Sequence, residues 1–372
     1  MISFSRVDTS ILGKWWWTVD RWLLASLLII IGTGAILTLA ASPPVAARLN
    51  LGTYHFAVRQ FAYIPLALLV MIGVSLLNPV MVRRLAVFTF GFFIVLTAST
   101  HFLGAEIKGA ARWISFMGFT LQPSEFLKPT FAVVAAWMFS EWRKDRSFPG
   151  HYIAIALFAL VGALLITQPD FGMTAVISAV WGVQFFLAGL PIFFVVLVAF
   201  VFMTGSMIAY MTVDHVQSRV DRFLDPSSGD SYQITRSLEA FQNGGFFGTG
   251  PGEGEIKNVL PDAHTDFIFA VAGEEFGLIA CLIIIGLFAT VVLRGFTRMF
   301  KEDNLFVLLA VGGLVTQFGL QAIVNIASTT HLMPTKGMTL PFISYGGSSL
   351  LSLALGMGML LALTRRRAGG DL

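Results

Sequence analysis

The chain has 372 residues, 56% of them hydrophobic and only 12% charged, with a mean hydropathy of +0.79. That composition belongs to a polytopic helical membrane protein and not to a soluble enzyme domain. The net charge of +3 sits in short basic loops rather than in a patch, so no nucleic-acid partner is expected, and the lone Cys281 excludes an intrachain disulfide.

Taken in chain order, residues 1–21 read as a polar N-terminal segment whose Trp15, Trp16 and Trp17 have the character of an interfacial aromatic anchor. The first apolar run, Trp22 to Ala41, exceeds the ~7–15 residues of a signal-peptide core and reads as a retained helix. Further spans are expected near Phe56–Leu77, Leu85–Phe102, Ser124–Phe139, Tyr152–Thr167, Met173–Leu187 and Ile192–Met211. A long polar segment, about 212–264, then precedes spans near Asp266–Leu293, Leu305–Ser328 and Leu340–Leu363. The expected fold is therefore an all-α polytopic membrane protein of about ten transmembrane helices with one long extracytoplasmic loop. Residues 22–364 form a single domain in this reading, and 365–372 a basic tail.

Basic residues set the orientation. With the N-terminus inside, fourteen Lys and Arg fall on inner segments and five (Arg48, Arg59, Lys108, Arg112, Lys336) on short outer loops. The positive-inside rule places both termini in the cytoplasm and 212–264 outside.

The polar motifs then gather on the outer face. They are KGAARWISF…LQPSEFLKP, QPDFG, LPDAHTDFIFAVAGEEFG and PTKGMTLPFISYGGSS. A transporter places its polar site near the midplane, so this clustering favours chemistry at the outer surface. Asp266 stands where polar chain meets a hydrophobic span, with Glu274 and Glu275 about 12 Å further along at ~1.5 Å per residue. A helix N-cap is the competing role for Asp266. Arg112 beside Trp113 either meets a ligand anion or snorkels to headgroups. Glu125 and Lys128, three residues apart, can pair inside a span. Pro123 and Pro129 bracket that helix start, which Gln122 and Ser124 can cap. Asp170 reads as a ligand contact or as the N-cap of the next helix, and His264 as a loop or cap residue. The glycine-rich run before Gly254 could cradle phosphate or be an ordinary flexible loop. Ser348 opens the last span among small residues. No metal-binding spacing or nucleophile elbow occurs.

These long ordered motifs resemble the SEDS family (shape, elongation, division and sporulation proteins) over nearly the whole chain. Pro334 to Gly337 ahead of LPFISYGGSS resembles the division branch more than the elongation branch. One departure is Ala111, where many members carry a second Arg before Arg112. The resemblance implies a peptidoglycan glycosyltransferase of the bacterial inner membrane, polymerising lipid II at the division septum. It further implies Asp266 as the catalytic residue, a class B penicillin-binding transpeptidase and other divisome membrane proteins as partners, and a growing glycan strand as product. Arg112, Lys128 and Lys336 are the candidates to meet the pyrophosphate, with a divalent cation (Mg or Mn) as possible help. A lipid II flippase and a non-catalytic scaffold are the other readings. The topology predicts that cysteines placed in intact cells react with an impermeant reagent at Ser228 and not at Ser147; the reverse pattern overturns it.

Overall fold

The computed structural model describes residues 10–107, 110–116, 119–189, 192–224, 232–334 and 337–366. Helices α1 (Ile11–Thr18), α2 (Arg21–Arg48), α3 (His55–Ser75) and α4 (Pro79–Leu103) come first. A small antiparallel meander follows: β1 (Ala105–Ile107), β2 (Ala110–Phe116) and β3 (Phe119–Leu121). Then come α5 (Pro123–Lys144), α6 (Gly150–Thr167), α7 (Phe171–Leu187) and α8 (Ile192–Thr212). The long polar segment contributes α9 (Asp214–Leu224) and α10 (Tyr232–Gly244), and the chain ends with α11 (Ile268–Met299), α12 (Leu305–Thr329) and α13 (Gly347–Leu363).

This is an all-α polytopic membrane fold with one small sheet. Each apolar run read as a span contains a long helix. Six of these, α2, α3, α4, α6, α11 and α12, are long and apolar enough by length and composition to cross a bilayer, among the described residues. The inner axis is α5 against α12. From Pro123 to Ala136 every residue of α5 is buried, and α12 buries Val307, Leu309 to Val315, Gln317, Phe318 and Gln321. Apolar residues all round such helices are what a fully enclosed element requires.

Four sequence expectations change. Trp15 is no interfacial anchor: it is buried and donates from Nε1 to Ser75 Oγ at 2.8 Å, while Trp17 stays exposed with Arg21 over its ring. The segment 212–264 is partly helical rather than one loop. Residues 340–346 do not belong to the last helix, because Ser344 Oγ donates to Thr265 O (2.6 Å) and the Tyr345 amide to His264 O (2.9 Å). The glycine-rich run packs backbone to backbone against α11. Helix α11 breaks at Gly277, whose φ of 74° suits glycine. The break frees the carbonyls of Glu274 and Glu275, which accept from Thr249 N (2.9 Å) and Gly250 N (3.1 Å). In return Leu278 N donates to Gly245 O (2.9 Å) and Ile279 N to Phe246 O (3.3 Å). A Cβ on Gly277 would lie 2.4 Å from Gly248 N, so the two backbones touch only because neither carries a side chain there.

At the opposite end of the bundle, Asp20 fastens α2 to α11. Its Oδ1 caps α2 by accepting from Trp22 N (3.2 Å) and Leu23 N (3.3 Å). Its Oδ2 accepts from Arg294 Nε (3.0 Å) and Arg298 Nε (2.5 Å). Burial pushes the Asp20 carboxyl up, but the hydrogen bond from Arg298, the Leu23 amide and both guanidinium charges hold it below its ordinary value. A lowered native value means stability present above the ordinary carboxylate range and lost as pH falls below it. Asp20→Ala is expected to cost roughly 3 kcal/mol by stranding two cations and opening the cap. Thermal unfolding in detergent checks this: the gap from wild type should be full at pH 7 and should shrink in strong acid.

Candidate functional site

Asp266, Glu125, Lys128 and Ser348 gather at one end of the bundle, where the starts of α5, α11 and α13 approach the C-terminal half of α12. Pro123 opens α5 at its first turn, a position where its missing N–H is harmless. Gln122 is the N-cap but caps with no side-chain bond; its backbone N–H instead donates to Ser348 Oγ at 3.0 Å. Ser348 thereby fastens the start of α13 to the start of α5, and Ser352 Oγ adds a bond to Glu125 O at 2.8 Å.

One turn into α5, Lys128 Nζ lies 2.9 Å from Glu125 Oε2 and donates to Gln321 Oε1 at 3.1 Å. Lys128 is 2% exposed, and an ammonium so deep persists only when paired and hydrogen-bonded. Gln321 passes the connection on, donating from Nε2 to Thr339 O (3.1 Å) and Thr339 Oγ1 (3.2 Å). Thr339 Oγ1 and Ser349 Oγ are 2.8 Å apart. Four residues further along α12, Asn325 Nδ2 donates to Asp266 O (2.9 Å) and to Met338 O (2.6 Å). Residues four apart on a helix share a face about 6 Å apart. Lys128 and the Asp266 segment are therefore moored to α12 on one face, a single turn apart.

Asp266 itself is half-buried, two residues before α11 begins. The N-cap position of α11 is held by Phe267, which makes no side-chain cap bond. Its Oδ2 lies 3.4 Å from where a Cβ on Gly337 would stand. Lys336 lies outside the described residues. Just upstream, the His264 ring packs on Phe56 (centroids 4.2 Å) and Tyr345 (5.4 Å), which fixes the segment laterally.

Arg112 and Asp170 form a separate group. Arg112 Nε and a terminal nitrogen donate to the carbonyls of Gln168 and Pro169, both at 2.7 Å, and its other nitrogen lies 3.6 Å from Asp170 Oδ2. Asp170 also accepts from Met173 N at 3.1 Å, the N-cap of α7 anticipated from sequence. Trp113, half-buried on β2, pairs with Ala105 across the sheet. The cation at this helix start therefore binds a turn in addition to whatever it offers a ligand.

Glu274 and Glu275 serve as latches. Glu274, fully buried, accepts from Ile256 N (2.7 Å), Lys257 N (3.0 Å) and Asn243 Nδ2 (3.1 Å). Glu275 accepts a close hydrogen bond from Lys257 Nζ, which also donates to Gly252 O at 2.9 Å. These bonds fix the chain entering the Asp266 segment, and Arg48 holds Leu260 O from the other side at 2.8 Å. Sequence reading missed Lys257, Gln321, Asn325 and Thr339. The available signal was Gln317, Gln321 and Asn325 at four-residue spacing inside an otherwise apolar span. Among the described residues no group of three His, Cys, Asp or Glu side chains is placed to hold a metal ion.

Beside this constellation an apolar groove of about 620 Å³ opens between α10, α11 and α12, lined by Phe241, Phe246, Phe269, Leu278, Leu282 and Ile326 among others. Fold and site together define an integral membrane protein with a buried ionic and amide network at one end of its bundle. The cell cycle protein model that groups FtsW, RodA and SpoVE matches residues 21–369. A Caulobacter vibrioides protein named probable peptidoglycan glycosyltransferase FtsW is 45% identical over 99% of this chain and 94% of its own. A Coxiella burnetii protein of the same name is 33% identical over 93% and 96%. Among solved structures, a peptidoglycan synthase complex coordinating polymerization and crosslinking is similar with a TM-score of 0.74 at 25% identity, covering 93% of this chain and 97% of that one. RodA of Thermus thermophilus has the same fold, with a TM-score of 0.70 at 24% identity over 94% and 97%. The chain belongs to the FtsW/RodA/SpoVE family, which is the SEDS family, and resembles its FtsW members most.

Lys257→Ala is expected to cost roughly 3–5 kcal/mol, because it leaves the buried Glu275 charge without its cation. Lys257→Met combined with Glu275→Leu should recover much of that loss. Thermal unfolding of the three variants in detergent checks this, and a double variant as unstable as the single one would refute the latch.

Proposed function

We propose that this chain, a peptidoglycan glycosyltransferase of its family, polymerises lipid II into β-1,4 glycan strands at the outer face of the inner membrane for septal wall synthesis. The carrying observation is the mooring of the Asp266 segment and Lys128 to one face of α12, a turn apart. A sugar hydroxyl and a departing pyrophosphate need a base and a cation in one site, and the two anchors on α12 hold the candidates for both in one region.

In the proposed reaction the 4-hydroxyl of one sugar attacks the anomeric carbon of another, which is linked to undecaprenyl pyrophosphate. The new C–O bond forms as the old one breaks, the hydroxyl proton passes to the Asp266 carboxylate, and the electron pair leaves with the pyrophosphate. One inversion converts an α-linked phosphate into a β-glycoside, so a single base suffices and no covalent intermediate forms. A general base in hydrogen-bond reach contributes about 10²–10⁴-fold. Charge developing on the pyrophosphate calls for fixed cations, a role assigned to Lys128, Lys336 and Arg112. Glu125 holds Lys128 in place, Asp170 holds Arg112, Trp113 flanks the sugar, and Ser348 closes the α5–α13 side. The apolar groove offers the lipid tails a route that needs no aqueous channel.

A class B penicillin-binding transpeptidase is the proposed partner, supported by the likeness to a peptidoglycan synthase complex that coordinates polymerization and crosslinking; other divisome membrane proteins enter the proposal from the family resemblance alone. The single domain over 22–364 rests on the lack of a soluble segment long enough to fold alone, and the cytoplasmic placement of both termini on the basic asymmetry of the loops. A flippase would need polar groups along a transbilayer path; inward of Gln321 the chain offers Gln317 on α12 and Gln184 on α7, the latter with Nε2 committed to Ala132 O (2.7 Å) and Leu309 O (3.0 Å), a short path that favours polymerisation.

Asp266→Asn keeps the shape and removes the basicity, so it should abolish polymerisation of purified lipid II while preserving thermal stability. Asp266→Glu, which moves the carboxylate by about one bond, should retain on the order of 1% of the rate. Wild-type turnover by the asparagine variant would eliminate Asp266 as base.

A further inference from the structure

Asn325 uses the two ends of its side-chain amide unequally. Its side chain is 1% exposed. Both amide hydrogens are committed, one to Asp266 O and one to Met338 O. Two carbonyl oxygens facing one end of the side chain admit only the NH₂ group there, so the orientation of the amide is fixed by chemistry. Oδ1 must then point the other way, and it has no hydrogen-bond partner. Gln321, one turn along the same face, shows the contrast: its oxygen accepts from Lys128 and its nitrogen serves Thr339. A buried carbonyl with no donor calls for an explanation; Gln168, Gln184 and Gln317 leave an amide oxygen in the same state, so the bond count alone does not single out Asn325.

Position supplies it. Oδ1 shares a carbon with a nitrogen that touches the main chain of Asp266, and Met338 adjoins Gly337, the glycine against the Asp266 carboxylate. We propose that Asn325 is a substrate-binding residue whose Oδ1 accepts a hydrogen bond from a hydroxyl or acetamido N–H of the sugar presented to Asp266. The assignment rests on the glycosyltransferase reading. A bare acceptor favours groups that carry a hydrogen and disfavours phosphate oxygens, which bring only lone pairs. Asn325 would thus sort the two ends of a lipid-linked sugar: carbohydrate toward Asp266, pyrophosphate toward the Lys128 side.

The test measures binding separately from turnover, with full-length protein in detergent. The ligands are lipid II and lipid-linked disaccharides in which one hydroxyl is deleted or one acetamido nitrogen methylated. Wild type should bind one of these analogues about tenfold more weakly than lipid II. Asn325→Leu, close in size, should bind lipid II about tenfold more weakly than wild type and should no longer distinguish that analogue. Asn325→Ser replaces it in the comparison if the leucine variant fails to fold. Equal affinity of wild type for all analogues, or undiminished discrimination by the variant, overturns the assignment. Wild type that binds and discriminates without polymerising refutes the function while supporting Asn325. Wild type that polymerises without discriminating refutes Asn325 alone, and absence of any lipid II binding refutes both.

Discussion

The structure depends on keeping an ammonium group inside an apolar bundle. Lys128 has no water to fall back on, so everything around it is arranged to satisfy one cation: Glu125 on its own helix and Gln321 across on α12. Such a pair adds little net stability, because desolvation consumes most of the Coulomb gain. What it imposes is registry, since α5 and α12 cannot slide without stranding the charge. From that fixed seam Gln321 and Asn325 reach the non-helical 337–346 stretch and the Asp266 segment. The placement of the proposed base is thus inherited from the burial of a charge on a different helix.

Sequence and structure agree best where the signal is local. Apolar runs located the helices, because a bilayer leaves few other ways to satisfy a backbone. The Glu125–Lys128 pair followed from three-residue spacing, and the cap at Asp170 from its place ahead of Phe171. The failures are of another kind. Nothing local distinguishes Trp15, buried on Ser75, from Trp17, which remains outside; the difference is made by a helix some sixty residues away. The glycine run left a phosphate-cradling loop and an ordinary loop both open, because the backbone freedom that admits phosphate also admits another backbone. Asn325 and Gln321 passed as ordinary span residues, since an amide in an apolar run declares its partners only after the chain has folded.

Arg112 illustrates how one side chain can hold two duties. Its guanidinium has five donors, and two are committed to the carbonyls of the Gln168–Pro169 turn. The same contacts that spend those donors also tie β2 to the start of α7. An arginine anchored at its stem in this way meets a ligand with less rotamer freedom left to lose than one waving in solvent.

The join at Gly277 has its own consequence for how this protein tolerates change. The loop and the broken helix are sewn together through main-chain atoms, so the stitches do not depend on which side chains lie alongside. Phe246 and Phe247, both well exposed beside the seam, can be exchanged for other apolar residues without unpicking it. Gly248 and Gly277 cannot, because any added carbon would stand where the opposing backbone runs. Variation at this seam is thus channelled toward the exposed surface, while the path of the chain behind it stays fixed.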